Sequence, residues 1–205
     1  HLNKLNSPSS DNNGINVAIK YSRKVLKTHS TSFFIVTRFL PKYMRDEVEL
    51  VYGSVRFPDE IVDSFNIGDS EKKSLLKNWR DKYRTALDTK SFDESLSKGV
   101  PLLLAGFTEV VKKYSIPTDY YESFLDAMEL DVNPKEFKDI EDLINNYVFG
   151  SEIVVGYFLA YVYGSSKKNN FDETLKSSKE LGIALQLTNF IRDINEDLKR
   201  GRVYI

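Results

Sequence analysis

Apolar residues recur every three to four positions through most of the chain, which is the spacing of amphipathic helices. The first such segment begins at Ile15, breaks at residues 30–32 and resumes over residues 33–40. Pro41 then stands where a helix begins, because the missing N–H of proline costs nothing in a first turn. The same periodicity, with breaks at glycine or proline, predicts further helices over residues 41–65, 71–89, 102–114, 118–130, 139–164 and 172–201.

The helices are predicted to form one all-α domain, because no alternating strand pattern and no internal repeat is visible. The polar start, residues 1–14, is expected to be disordered or tag-like, and residues 15–205 are expected to form the domain. Gly164 and Gly201 are predicted to end their helices, since glycine readily adopts the left-handed conformation of a C-cap.

The most apolar run, residues 153–164, is shorter than the about 20 residues that a membrane-spanning helix needs. We therefore interpret it as a buried core helix. Hydrophobic residues make up 41% and charged residues 29% of the chain, as in ordinary globular proteins. No secretory signal is visible, so a cytoplasmic location is expected.

Charge and residue usage exclude several kinds of site. The 29 Lys and Arg nearly balance the 30 Asp and Glu, so a broad nucleic-acid-binding face is not expected. With 0 Cys, disulfides, thiolate zinc sites and cysteine nucleophiles are excluded. The 2 His, at positions 1 and 29, cannot build a multi-histidine metal site. His29 is expected to be structural or a substrate contact.

Two predicted helices carry acidic side chains four residues apart, a spacing that places them on one helix face. The first acidic row is Asp59 and Asp63, with Tyr52 and Arg56 upstream on nearly the same stripe. Pro58 lies beside this row inside a helical pattern, so we expect a local kink or bulge that re-aims Asp59.

The second acidic row is Asn189, Asp193 and Asp197. Gln186 extends it upstream and Arg192 flanks it. The opposite face of the same helix is apolar and is expected to be core; it comprises Leu185, Ile191, Ile194 and Leu198.

Carboxylates combined with carboxamides form the oxygen-rich donor set that Mg²⁺ prefers, and nearby arginines suit a phosphate. Either row alone is more typical of a solvated helix surface. Both rows together, each with arginine and amide groups in phase, favour a diphosphate held by bridging Mg²⁺ ions between two helices. A phosphate-binding loop is not available, because no glycine-rich nucleotide motif is present.

Four segments resemble the squalene/phytoene synthase family of head-to-head prenyl transferases, over roughly residues 15–205. "HSTSFFIVTRFLP" resembles the family's opening motif, and "YGSVRFPDEIVD" resembles its first aspartate motif. "YVFGSEIVVG" resembles a small-residue helix lining a lipid cavity, and "LGIALQLTNFIRDINEDLKRGRVYI" resembles the second aspartate motif. Relatives continue past this last motif, so the domain is expected to be truncated at its C-terminal end.

The resemblance implies the all-α isoprenoid synthase fold, a single helical domain around a central apolar cavity. It implies Mg²⁺-dependent (Mn²⁺ possible) condensation of two geranylgeranyl diphosphates to 15-cis-phytoene through a cyclopropyl diphosphate, as in the bacterial carotenoid branch. The alternative uses farnesyl diphosphate to make dehydrosqualene, squalene or presqualene diphosphate, with NADPH only for squalene. A non-catalytic helical assembly protein of the same fold is the alternative of another class.

The resemblance also assigns residues. Asp59, Asp63, Asp193 and Asp197 would be catalytic and, with Asn189, would hold the metal. The prenyl diphosphate substrates, with a peripheral membrane contact for the greasy product, are the expected partners. Residues expected to bind substrate are His29, Ser30, Thr31, Ser32, Phe33, Tyr52, Arg56, Tyr147, Gln186 and Arg192.

Overall fold

The computed structural model describes residues 13–165, 170–199 and 201–204, and every regular element in these ranges is a helix. The expected disordered start falls almost wholly on residues 1–12, which lie outside the described residues. In chain order the helices are α1 (Asn13–His29), α2 (Thr31–Thr37), α3 (Lys42–Asp63), α4 (Asp69–Leu87), α5 (Phe92–Ser97), α6 (Leu102–Tyr114), α7 (Asp119–Val132), α8 (Ile140–Leu143), the π-helix (Ile144–Ile153), α9 (Val154–Tyr163) and α10 (Phe171–Lys199).

The helix ends follow the chemistry of their terminal residues. Gly164, with φ of 69°, caps α9, and Gly201, with φ of 72°, follows α10, which confirms both glycine predictions. The short helix α5 is missing from the predicted elements. It begins after Ser91, whose side chain accepts a hydrogen bond from the Glu94 backbone N–H at 3.2 Å.

The predicted helix over residues 139–164 is present, but its middle is a π-helix over Ile144–Ile153. A π-helix closes each hydrogen bond one residue further along the chain than an α-helix does, and such segments are frequent at functional sites. Gly150 sits where the π-helix approaches α7, and a Cβ there would lie 2.2 Å from the backbone oxygen of Ser123. The absence of a side chain at position 150 is therefore what permits this close packing.

Helix α3 continues as an α-helix through Pro58 and ends at Asp63. Proline supplies no N–H to the carbonyl of Ser54, one turn upstream, yet no π-type turn is inserted around it. The described helix thus has no inserted bulge at Pro58, and the alternative of a kink there stays a prediction. The lost hydrogen bond is tolerated within one uninterrupted helix that carries both Asp59 and Asp63.

The chain divides into two compact units, and the first comprises residues 1–58 and 77–116. In this unit α6 packs against α1 and α3 at Gly106, where a Cβ would lie 3.3 Å from the Ala18 Cβ and 2.6 Å from a Leu50 methyl carbon. The carboxylate of Glu49 is fully buried on α3 and is held by Arg23, at 2.9 Å, and by Arg38. Acidic residues in the first half of α3 are thus paired with cationic side chains, and these ion pairs stabilise the fold.

The second unit comprises residues 59–76 and 117–205. Helix α7, the π-helix, α9 and α10 pack on one another around a core that includes Phe124, Phe158 and Phe190. The start of α4 is tied to the end of α3, because the Lys72 Nζ donates to the backbone oxygen of Val62 at 2.5 Å. Both acidic rows therefore lie in this unit.

The apolar face of α10 is exposed, contrary to its expected place in the core. Ile191 is 66% and Leu198 is 56% exposed, and Leu185 and Ile194 are also exposed. Helical periodicity identifies an apolar face, but burying it takes a second layer of chain, and the described residues supply none on this side. Phe190 and Gly182, on the other side, are the buried positions of α10.

One described helical stretch, Ile140–Tyr163, is long and apolar enough to cross a membrane by length and composition alone. A core helix passes the same test, and within this stretch Ile153, Val154 and Phe158 are fully buried against the rest of the second unit. This burial agrees with the interpretation of residues 153–164 as a core helix.

Candidate functional site

The first acidic row ends in an ion pair. The Asp63 carboxylate lies 2.9 Å from a guanidinium nitrogen of Arg202, and both side chains are largely buried. Arg202 reaches this position because Gly201 turns the chain just after α10. A buried arginine beside a carboxylate retains its charge and can also bind a second anion, because guanidinium carries five donors.

Arg202 also meets the second acidic row, through its backbone. Its N–H donates to the backbone oxygen of Asp197 at 2.9 Å, and Asp197 and Arg202 line the same shallow cavity. Phe190, Ile194 and Tyr204 complete much of that cavity. The ends of the two acidic rows are therefore linked through one residue, Arg202.

A partly buried hydrogen-bond network stands next to this link. The hydroxyls of Tyr147 and Tyr204 donate to the two carboxylate oxygens of Asp131, at 2.8 and 2.5 Å, and lie 3.2 Å from each other. The Tyr204 ring stacks on Phe190 and on Tyr147, with centroid distances of 4.5 and 4.9 Å. Tyr147 is thus fixed by the π-helix, by α7 and by the segment after α10.

The surroundings of the network shift the pKa values of its residues and of Arg202. Burial raises the pKa of Asp131 to about 6, although the charge of Arg202 and the donating hydroxyls of Tyr204 and Tyr147 oppose this. Burial lowers the pKa of Arg202, but the charges of Asp131, Tyr204 and Asp63 outweigh that effect and raise it overall. Burial also raises the pKa of Tyr147 well above its usual range.

The second acidic row is held by its neighbours on α10. The Arg192 guanidinium donates two hydrogen bonds to the Asp193 carboxylate, at 2.8 and 2.5 Å, on the exposed face of the helix. The Asn189 side-chain amide donates to Gln186 at 3.2 Å, and Gln186 donates to Ser151 of the π-helix at 3.3 Å. Gln186 and Asn189 therefore act as a bridge between α10 and the π-helix.

The donor set of the two rows fits a hard divalent cation. Within residues 13–165, 170–199 and 201–204, no three His, Cys, Asp or Glu side chains gather closely enough to enclose a metal by themselves. Mg²⁺ is commonly bound by one or two carboxylates together with substrate phosphates and water. Two rows with two carboxylates each, beside arginines, match that mode of binding.

The remaining predicted substrate residues lie in the first unit. Residues 29–33 form the junction of α1 and α2, where Ser30 precedes α2 and His29, Thr31 and Ser32 are exposed. The Phe33 ring lies 6.1 Å from the ring of Tyr52 on α3. The structure thus brings Phe33 and Tyr52 together, and the substrate-binding roles of these residues and of Arg56 remain predictions.

Three residues of the second unit's network, Asp131, Arg202 and Tyr204, were missed from the sequence. The signal available for Arg202 and Tyr204 is their place in "GRVY", directly after the second acidic row. Asp131 carries no local signal, because it lies near the end of α7 among other acidic residues. Its partners are 16 and 73 positions away, so only the fold brings them together.

Comparison with known proteins assigns the family. The squalene/phytoene synthase family model matches residues 26–205. The chain belongs to the squalene/phytoene synthase family, as the four sequence segments suggested.

Curated relatives of this chain include two bacterial enzymes with the same name. Presqualene diphosphate synthase of Rhodopseudomonas palustris is 30% identical over 85% of this chain and 58% of its own length. Presqualene diphosphate synthase of Zymomonas mobilis is 32% identical over 86% of this chain and 56% of its own length. Phytoene synthase of Thermus thermophilus is 28% identical over 89% of this chain and 57% of its own length. The chain therefore spans little more than half the length of these relatives.

Solved structures confirm the fold class. A dehydrosqualene synthase in complex with ligand superposes with a TM-score of 0.72, at 23% identity over 94% of this chain and 62% of its own. Squalene synthase HpnC from Alicyclobacillus acidocaldarius superposes with a TM-score of 0.73, at 20% identity over 92% of this chain and 66% of its own. The predicted all-α isoprenoid synthase fold is confirmed.

Proposed function

We propose that this chain carries the diphosphate-binding centre of a prenyl transferase that joins two prenyl diphosphates head to head. The observation that carries the proposal is the position of Arg202, whose side chain pairs with Asp63 and whose backbone N–H binds Asp197. One cationic residue thus links both acidic rows, and a diphosphate needs such a mixed surface of carboxylates and cations. Membership of the squalene/phytoene synthase family supports the same chemistry.

Asp59 and Asp63 of the first row, and Asn189, Asp193 and Asp197 of the second, would hold Mg²⁺, with Mn²⁺ as a substitute. Bound there, the metal would neutralise negative charge on the departing diphosphate. The carboxylates would be shared between the protein and a metal–diphosphate complex, in keeping with the small number of ligands that each row offers.

Arg192 and Arg202 are proposed to bind the diphosphate oxygens. When the allylic C–O bond breaks, negative charge grows on the leaving group, and positive side chains aimed at it stabilise the transition state more than the ground state. Arg192 is exposed and pairs with its neighbour Asp193 at the helix surface, so it can turn towards a ligand. Arg202 is buried and preset by its pair with Asp63.

The allylic cation must react with the second prenyl chain and not with water. Tyr147 is buried among aromatic rings, and its ring face could stabilise a passing cation by roughly 0.5–2 kcal/mol. The coupling would form a cyclopropyl diphosphate with loss of a proton. A second ionisation would release the remaining diphosphate. The rearranged cation would then lose a proton to give phytoene or dehydrosqualene, or accept a hydride from NADPH to give squalene.

Two chain lengths are candidates for the substrate. The resemblance to the bacterial carotenoid branch favours geranylgeranyl diphosphate, giving 15-cis-phytoene, and the likeness to phytoene synthases supports this. The names of the two bacterial relatives at 30% and 32% identity favour farnesyl diphosphate and presqualene diphosphate. Dehydrosqualene and squalene are further products from farnesyl diphosphate, and squalene alone would require NADPH.

The test incubates the protein with each prenyl diphosphate, with and without Mg²⁺, and measures diphosphate release together with the lipid products. Mg²⁺-dependent release and a head-to-head product from one substrate would support the proposal, and the product identifies the chain length. Absence of release with both substrates would contradict it and favour the non-catalytic assembly protein of the same fold.

A further inference from the structure

Asp131 belongs to neither acidic row, yet it organises the segment that links them. It lies near the end of α7, and its two oxygens accept hydrogen bonds from Tyr147 at 2.8 Å and Tyr204 at 2.5 Å. Tyr204 stands two residues after Arg202 in an otherwise irregular stretch. A fixed Tyr204 therefore limits where Arg202 can be.

Arg202 has few other restraints on its side chain. The Arg202 guanidinium forms an ion pair with Asp63 at 2.9 Å. Its buried Nε has no hydrogen-bond partner among the residues that the structure describes. The negative charge of Asp131 also attracts Arg202. Without that anchor, the segment after α10 would be held by its backbone hydrogen bonds at the Gly201 turn and by ring stacking of Tyr204 on Phe190 and Tyr147.

We propose that Asp131 is a positioning residue, which anchors Tyr204 and thereby holds Arg202 against Asp63. The placement itself is a property of the folded chain, and only its use in catalysis rests on the proposed function. The competing explanation is that Asp131 merely satisfies two partly buried tyrosine hydroxyls, as polar groups removed from water generally must be satisfied. The two explanations differ in what happens to Arg202 when Asp131 changes.

The experiment measures the reactivity of Arg202 toward phenylglyoxal, site by site, by mass spectrometry. Asp131→Asn removes the charge at nearly constant size, and Tyr204→Phe removes the hydroxyl while keeping the ring stack. In both variants we expect Arg202 to react about tenfold faster than in the parent chain, because a hydrogen bond to a charged group is lost. The exposed Arg84 serves as the internal reference.

Two control variants remove a carboxylate charge or a tyrosine hydroxyl at exposed positions outside the network. Asp88→Asn alters an exposed carboxylate, and Tyr163→Phe alters an exposed tyrosine at the end of α9. Neither should change the reactivity of Arg202. The double variant Asp131→Asn/Tyr204→Phe should expose Arg202 no more than either single change does, since both break the same anchor. Thermal unfolding midpoints verify that each variant is folded; if Asp131→Asn does not fold, Tyr204→Phe decides alone.

A kinetic readout separates positioning from a purely structural role. If the chain releases diphosphate, we expect Asp131→Asn to lower kcat about tenfold while KM stays within about twofold, because transition-state contacts are lost and ground-state binding is kept. Unchanged Arg202 reactivity would overturn the proposal, and a freed Arg202 with unchanged kcat would support the anchor but overturn its use in catalysis. If the parent chain is inactive, the proposed function fails, and the reactivity of Arg202 alone decides whether Asp131 is the anchor.

Discussion

Gly150 of the π-helix and the backbone oxygen of Ser123 on α7 lie so close together that an added Cβ would come within 2.2 Å of that oxygen. Backbone atoms cannot swing aside as a flexible side chain can, so any larger residue must push the two helices apart. This contact fixes the spacing between the element that carries Tyr147 and the element that carries Asp131.

We therefore expect Gly150→Ala to lower the free energy of unfolding by about 1–3 kcal/mol, as overpacked core positions do. Gly68→Ala is the control, because position 68 is exposed and a Cβ there meets nothing within 4 Å. Urea denaturation of both variants measures the difference. An equal effect of the two substitutions would show that the contact is not tight in solution.

Replacing Asp59 or Asp193 with asparagine should reduce diphosphate release by about a hundredfold or more, because preorganised charge at the leaving group is lost. The fold should persist, as judged by circular dichroism and the unfolding midpoint. Asp126→Asn, on the exposed face of α7, should retain activity. Retained activity in the Asp59 and Asp193 variants would count against the metal-binding assignment of both rows.

Two arginine–carboxylate pairs allow a direct test of how burial affects stability. Arg202→Gln breaks the largely buried pair with Asp63 and should cost about 3 kcal/mol, because it leaves a charge with poor access to water. Arg192→Gln breaks the exposed pair with Asp193 and should cost less than about 1 kcal/mol. Chemical denaturation at pH 7 compares them, and similar costs would contradict the burial of Arg202.

Glu152 of the π-helix should make stability depend on pH. Burial raises its pKa from the ordinary 4.5 to about 7, so the folded chain keeps a proton that the unfolded chain releases between those values. Stability contributed by this group therefore falls as pH rises from 4.5 to 7, and Glu152→Gln removes the loss. We expect the variant to be more stable than the parent by about 1–3 kcal/mol above pH 7.

The measurement is the unfolding free energy of parent and variant at several values between pH 4.5 and 8. The difference should be smallest at the acidic end, grow through the window and level off above pH 7. A constant difference across the range would show that Glu152 is not buried as a neutral acid.

The sequence predicts much of the fold because helical periodicity and glycine or proline breaks are local signals. Gly164 and Gly201 end their helices as expected, and both acidic rows lie on helices of one unit. The same signals could not say that the apolar face of α10 would be exposed, since burial depends on what other parts of the chain cover it. They also could not reveal Asp131, whose role depends on Tyr204, 73 positions away.

The candidate site, too, is only partly predictable from the sequence. Spacing alone identifies the carboxylates and the arginine that neighbour one another on a helix, such as Arg192 and Asp193. Arg202 was overlooked because it follows the helix, where periodicity no longer applies. Its importance comes from the turn at Gly201, which brings its guanidinium back to the end of α3.

The π-helix over Ile144–Ile153 has a consequence for anyone who aligns or redesigns this stretch. Helical-wheel drawings advance each residue by a fixed angle that suits an α-helix, and they accumulate error across wider turns. A designer who trusts such a drawing would assign residues after Tyr147 to the wrong side of the helix. Substitutions meant for the outer surface would then land in the interior.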